Sequence, residues 1–420
     1  MRCKYLWIVL LVPFFSLAAQ TTKEDVMKNI LQAGGTYYSY PTPTGKLSPA
    51  PKGYKPFYIS HYGRHGSRYM TTNKNYTYVI NALEKADSCR SLTAYGQDVL
   101  KRLKVAYADA YLRDGDLSKL GAMQHRGIAT RMYRNFPEVF QSGTSVDAKS
   151  SVITRCAISM ANFCNALQGI NPKLNISMET SQRNMWYIAN GEDSIPNNAG
   201  DTILKKQLRD FTKKMFKPAR LVSTLFTDQE YIKKNVEGER LVDKLYNVAE
   251  DMQCQPQLKL SFFDLFTDEE LFDIWQTDNA GWCLWKGFMP GSAPRYKAYY
   301  GLLRNILDNA DTAIRQGGTA VTLRFGHDSI LAPLAYLLHL KGCDNFTADW
   351  DNLYKHWSDF KVVPMAGNIQ LVFYRKTGSD DILVKFLLHE KETSIPVKTD
   401  IAPYYHWKDV EAFYRAELTK

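Results

Sequence analysis

The 420-residue sequence is poor in metal-binding patterns. It has no Cys-x-x-Cys pair, and nothing in the spacing of its eight histidines and seven cysteines suggests a metal site. It has no low-complexity tract and no visible internal repeat, which excludes solenoids and disordered linker proteins. Acidic charge is in deficit, with 43 Asp and Glu against 53 Lys and Arg. Such an excess of positive charge favours anionic ligands. The basic residues are scattered rather than massed in one stripe, so nucleic acid is not the expected partner. After residue 20 no apolar run approaches the roughly 18 residues a membrane helix needs, so no membrane span is expected.

The N-terminus does hold a shorter apolar run. Arg2 and Lys4 precede the apolar run Leu6 to Leu17, and small residues at Ser16, Ala18 and Ala19 stand ahead of Gln20. This reads as a signal peptide over residues 1–19, so the chain is expected to be exported, periplasmic or secreted. Six cysteines then remain: Cys89, Cys156, Cys164, Cys254, Cys283 and Cys343. They read as buried small residues or as bridges, with connectivity open.

Residues 20–55 read as an irregular lead-in, and "PFYISHYG" (56–63) as a strand. Ser91 to Leu112 and Leu120 to Phe140 carry helical apolar spacing. "SVIT" (151–154) reads as a short buried strand, followed by a helix stopped by Gly169. Residues 181–310 read as a mainly helical insertion. "GTAVTLRFG" (318–326) returns to strand, before a helix stopped by Gly342 and containing Pro333. Two strands joined by a Gly-Ser-Asp turn follow up to about residue 392. The expected fold is α/β: a three-layer α/β/α domain with a central, mostly parallel sheet (20–180 and 311–420), plus the helical insertion.

Three strand ends carry chemistry. Arg64, His65 and Arg68 follow the first, Arg155 the second, and His327 with Asp328 the third. In open α/β sheets ligands sit beyond the carboxyl ends of strands, and helix N-termini there favour anions. A phosphate monoester dianion must be neutralised before a nucleophile approaches it, and arginine forks match its geometry. A neutral imidazole supplies the nucleophile near neutral pH. A protonated carboxyl can then donate to the leaving oxygen. On this reading His65 is the nucleophile and Asp328 the proton donor, while Arg64, Arg68, Arg155 and His327 bind phosphate. Asp328 is also a favoured helix N-cap. His61 reads as packed on its strand, and His125 as a pocket-orienting or core histidine. The pairs Lys205–Lys206, Lys213–Lys214 and Lys233–Lys234 read as solvated faces or a polyphosphate lining. The stretch "GWCLWKGFMPG" (281–291) reads as core or lid.

Arg64-His65-Gly66-Ser67-Arg68 resembles the Arg-His-Gly-x-Arg signature of the histidine acid phosphatases, branch 2 of the histidine phosphatase superfamily. "SSVITRCAISMA" (150–161) resembles that family's serine-rich strand with its arginine, and "GHDS" (326–329) its His-Asp proton-donor motif. "RHGSRY" and "LGAMQHRGIATRMYRNFPEVF" are further similar to multiple inositol polyphosphate phosphatases. That subgroup usually carries His-Ala-Glu where this chain has His327-Asp328-Ser329, the arrangement of histidine phytases and general acid phosphatases. The resemblance implies a phosphohistidine enzyme with no metal or cofactor, acting on a small-molecule phosphate ester, with phytate favoured. A broad-specificity acid phosphatase and a catalytically silent anion-binding protein are the alternatives. The sequence leaves the oligomeric state open.

Overall fold

The computed structural model describes Thr21, residues 23–191 and residues 194–419. The signal peptide expected at 1–19 lies outside the described residues. Eight strands form one sheet: β1 (Tyr54–Arg64), β2 (Ser145–Ser150), β3 (Asn175–Thr180), β4 (Thr319–Gly326), β5 (Asn368–Lys376), β6 (Ile382–Leu388), β7 (Lys391–Thr393) and β8 (Tyr404–His406). The order is β3-β2-β4-β1-β5-β6-β7, with β8 also paired to β6. The four strands β3, β2, β4 and β1 run parallel, and β5 to β8 add an antiparallel edge.

Alternation along the strands builds two cores. Tyr58 and Tyr62 of β1 point to one face, packed with the helices Tyr300–Arg315, Asp328–Leu337 and Trp407–Glu417. Ile59 points to the other, with Val321, Leu323 and Phe325 of β4, against the helices Lys119–Asn135 and Thr154–Ile170. This is the period-two consequence of strand geometry, and it yields three layers. A third core is mainly helical. It joins Lys74–Ser88 and Ala94–Ala110 to Gly238–Asp251 and Asp268–Trp285. Between β3 and β4 the described residues form helices and turns without a strand.

Several element boundaries differ from the sequence reading. The strand expected at 151–154 lies earlier, as β2, because its alternating "SVDAKS" buries only every second residue. The helix that follows runs through Gly169 to Ile170 and stops before Pro172, so the proline rather than the glycine sets its end. The helix from Asp328 contains Pro333 and ends at Leu337, well before Gly342; His339 turns to φ +49° just beyond it. All six described cysteines are free, and five of them are buried. No helix among the described residues is long and apolar enough to cross a membrane.

Candidate active site

Strand register brings the three clusters together. Arg64 at the end of β1 sits opposite Gly326 at the end of β4, and Ser150 of β2 opposite Phe325. The chain leaves all three strands at one edge. The His65 amide donates to the Gly326 carbonyl at 3.0 Å, and the Ser151 amide to Phe325 at 2.9 Å. The loop after β1 is then locked against the helix Lys119–Asn135. A Cβ on Gly66 would fall 2.5 Å from the Gly121 carbonyl oxygen, so only glycine allows this approach. The Gly66 amide donates to the Ser159 hydroxyl at 3.2 Å, and the Ser67 amide to Gln124 Oε1 at 2.9 Å.

His65 is buried, and its Nδ1 lies 2.9 Å from the Gly66 carbonyl. A carbonyl only accepts, so Nδ1 carries the proton and Nε2 keeps its lone pair. Burial, with Arg64, Arg68 and Arg155 nearby, holds the imidazole well below its ordinary pKa. The His327 ring stands edge-on at 5.7 Å between centroids. Its Nε2 contacts the Ser151 hydroxyl at 3.1 Å, and burial and the arginines, opposed by Asp328, pull its pKa down to about 4.

Arg64 is fully buried at the end of β1. Its Nη1 donates to the Thr36 and Val363 carbonyls, both at 2.5 Å, and its Nη2 pairs with Asp328 Oδ2 at 2.6 Å. Arg68 Nη1 donates to the Tyr37 hydroxyl and to the Tyr69 carbonyl, each at 3.0 Å, with the guanidinium 4.7 Å above the Tyr37 ring. Arg155 enters as the second residue of its helix, and its Nη1 approaches Gly115. The Nε atoms of Arg64, Arg68 and Arg155 are all buried without a hydrogen-bond partner among the described residues. A buried charged donor left unpaired costs upwards of about 1–3 kcal/mol, so three of them around one imidazole form a cradle for an anion.

Asp328 opens the helix Asp328–Leu337, and its Oδ1 accepts from the Ser329 amide at 2.7 Å. Burial pushes its carboxyl up, but Arg64, Arg68 and His327 outweigh that, and its pKa lies below the usual value. The structure thus brings together every residue named from the three strand ends. The other histidines and lysines fall elsewhere. His61 packs between Phe163 and Phe325, and His125 stands edge-on to Phe325. The three lysine pairs lie exposed on helix faces. Of the aromatic stretch, Cys283, Leu284, Phe288 and Met289 are core.

Sequence reasoning missed Thr36 and Tyr37, which sit in the apparent lead-in. That segment forms a 3-10 turn, Ile30–Tyr37, packed against the helix Gly238–Asp251. Its Gly34-Gly35 pair was the available signal: a Cβ on Gly35, at φ +51°, would meet Asp359 at 2.7 Å. Among the described residues no group of three or more His, Cys, Asp or Glu side chains could hold a metal ion.

The fold is shared with solved phosphatases. The multiple inositol polyphosphate phosphatase of Bifidobacterium longum, in complex with inositol hexasulfate, superposes with a TM-score of 0.78 at 20% identity, covering 92% of this chain and 98% of that one. The phytase from D. castellii gives 0.66 at 14% identity, covering 96% and 89%. The Hafnia alvei phytase in complex with tartrate gives 0.56 at 14% identity, covering 88% and 98%. No curated protein matches by sequence. A sequence model of the histidine phosphatase superfamily (branch 2) matches residues 63–389, from the end of β1 to just beyond β6, and the chain belongs to that superfamily.

Proposed function

We propose that this histidine phosphatase hydrolyses inositol polyphosphates, phytate among them, through phospho-His65, and that it acts after export. The observation carrying the catalytic part is the cradle of unpaired Arg64, Arg68 and Arg155 donors around an imidazole whose Nε2 is free. The arginines take the phosphoryl oxygens, each charge-assisted bond contributing roughly 1.5–3 kcal/mol. His327 adds a donor to the same oxygens. His65 Nε2 forms its bond to phosphorus as the bond to the ester oxygen breaks, and Asp328 gives that oxygen its proton. Water then attacks the phosphohistidine, returning a proton to the Asp328 carboxylate and freeing phosphate.

The resting ion pair between Asp328 and Arg64 shapes this cycle. In the absence of substrate, Arg64, with Arg68 and His327, holds the Asp328 carboxyl below its ordinary pKa against burial. A bound phosphate dianion draws the guanidinium to itself and sets negative charge beside the carboxyl, which raises its pKa. The acid is therefore loaded by the substrate. The alternatives separate in two measurements. Enzyme in turnover, quenched in base, should carry alkali-stable, acid-labile phosphate, absent from His65→Ala, which should lose turnover by on the order of 10⁴-fold or more. Intact phosphate release in His65→Ala ends the mechanism, and no turnover in the wild type leaves the anion-binding reading. Comparable kcat/KM for phytate and glucose 1-phosphate favours a broad-specificity phosphatase.

A further inference from the structure

The helices Gly238–Asp251 and Asp268–Trp285 line a cavity of about 210 Å³. Helical spacing builds its wall. Trp275, Asp278, Trp282 and Trp285 fall on one stripe of their helix, and Asn247 and Glu250 stand one turn apart on the other. Gly35 and Asp359 complete the lining. A Cβ on Gly35 would fall 2.7 Å from Asp359 Oδ2, and one on Gly34 would fall 3.6 Å from the Glu250 Cβ, so both carboxyl residues flank the same short turn. The cavity lies behind the arginine cradle. Thr36 lines it, and the Thr36 carbonyl accepts from Arg64 Nη1 at 2.5 Å.

Three carboxyls and three indoles line this cavity, and no Lys, Arg or His side chain does. Glu250 is only 9% exposed and has no hydrogen-bond or ion-pair partner among the described residues. Asp278, at the open end, has none either. Asp359 Oδ1 accepts from Trp275 Nε1 at 2.9 Å and from the Phe360 amide at 2.7 Å, while nothing among the described residues donates to its Oδ2. Lys286 stands 5.7 Å from the Trp282 ring centre and pairs with none of the three. Burial lifts Glu250 well above the carboxylate range, Asp278 to about 7 and Asp359 to about 6. Unpaired buried carboxyls are costly, and such a group is explained by a cation that the lining itself does not supply. Among the described residues no group of three or more His, Cys, Asp or Glu could hold a metal ion, whereas indole faces suit an organic ammonium. Asp278 and Trp285 also line an outer cavity of about 730 Å³. Leu208 and Phe216 give it apolar surface, and Glu237, Glu239 and Asp243 stand there against one guanidinium, that of Arg240, which already pairs with Glu237 at 3.4 Å. Acid, an apolar stretch and acid again match charged amines joined by methylene chains.

We propose that these joined cavities bind an aliphatic polyamine, with one ammonium held among Glu250, Asp278, Asp359 and the indoles and a second at the acidic wall of the outer cavity. The site does not depend on the phosphatase chemistry, so a binding measurement on the full chain tests it. Spermidine at pH 8 and low salt should bind one to one in calorimetry and change the tryptophan fluorescence with the same affinity. Butylamine, which keeps one ammonium and loses the rest, should bind about tenfold more weakly, the order of one charge-assisted contact. Glu250→Gln and Asp278→Asn should each weaken spermidine by a similar factor. Asp380→Asn, on the exposed turn between β5 and β6, should leave its affinity unchanged. Should Glu250→Gln not fold, Asp278→Asn carries the test, with retained turnover of p-nitrophenyl phosphate as its check on folding. No saturable binding, or an affinity indifferent to both substitutions, overturns the site. Equal affinities for butylamine and spermidine overturn the polyamine assignment.

Discussion

The paired guanidinium groups of Arg64 and Arg68 lie between two unlike regions. On the sheet side stand the buried imidazoles of His61 and His125. On the helical side stand Glu250, Asp251 and Asp359, also buried. Burial disfavours charge on both sides. It takes His61 and His125 down to about 3. It lifts Asp251 to about 7 against the pull of Arg68, and Asp359 to about 6 against hydrogen bonds from Trp275 and the Phe360 amide and the charge of Arg64. Near neutral pH the imidazoles are therefore electrically silent, while the carboxyls are within reach of titration. The same desolvation makes one side a fixed apolar backing and the other an adjustable counter-charge.

The comparison is broken first at the site between the two regions. Asp328→Asn removes both the proposed proton donor and the Arg64 ion pair. Turnover of an alkyl phosphate should fall by about 10²–10⁴-fold, and that of p-nitrophenyl phosphate, whose leaving group needs no proton, much less. The alkaline limb of kcat should vanish with it. Equal losses on the two substrates would remove Asp328 from the proton-donor role.

The sheet side is sharpened by His61→Phe, which fits the ring between Phe163 and Phe325. In the unfolded chain this histidine takes a proton near pH 6.5, and in the folded chain only near 3. Between those values acid favours unfolding. At pH 5 the gap is worth about 2 kcal/mol, which the phenylalanine variant should recover relative to wild type when urea midpoints at pH 5 and 7 are compared. An unchanged pH dependence would show that His61 is not held neutral by burial.

The smallest effect belongs to the helical side. As pH rises through about 7, Asp251 ionises behind Arg68 and weakens anion binding. Sulfate keeps its charge over that range, so its inhibition of p-nitrophenyl phosphate turnover isolates the protein's contribution. Asp251→Asn should flatten the change between pH 6 and 8 by about threefold, the order expected of one screened charge. Identical profiles for wild type and variant would leave the carboxyl layer a packing feature only.

Much of the site was legible because its parts are local strings. Arg64, His65 and Arg68 share one strand end, and His327 and Asp328 share another, so short stretches carry both residue type and placement. The strand at β2 was misplaced by several residues, because a half-buried alternation reads weakly beside the apolar β1 and β4. Tyr37 and Ser159 were not assigned a role, since each meets the site across a long stretch of chain. Nothing near them in sequence marks that meeting.

The sequence by itself determined the candidate nucleophile, the arginine forks, the His-Asp pair and the alternation of strands and helices, all properties of contiguous residues. Only the tertiary structure decided which Nδ1 carries a proton, which guanidinium nitrogens stay unpaired, that Arg64, with Arg68 and His327, holds the Asp328 carboxyl below its ordinary pKa, and that carboxyls back the arginines on one side. Those depend on burial and on which chain segments meet. Desolvation and Coulomb energies are set by distances through space, and spacing along the chain does not record them.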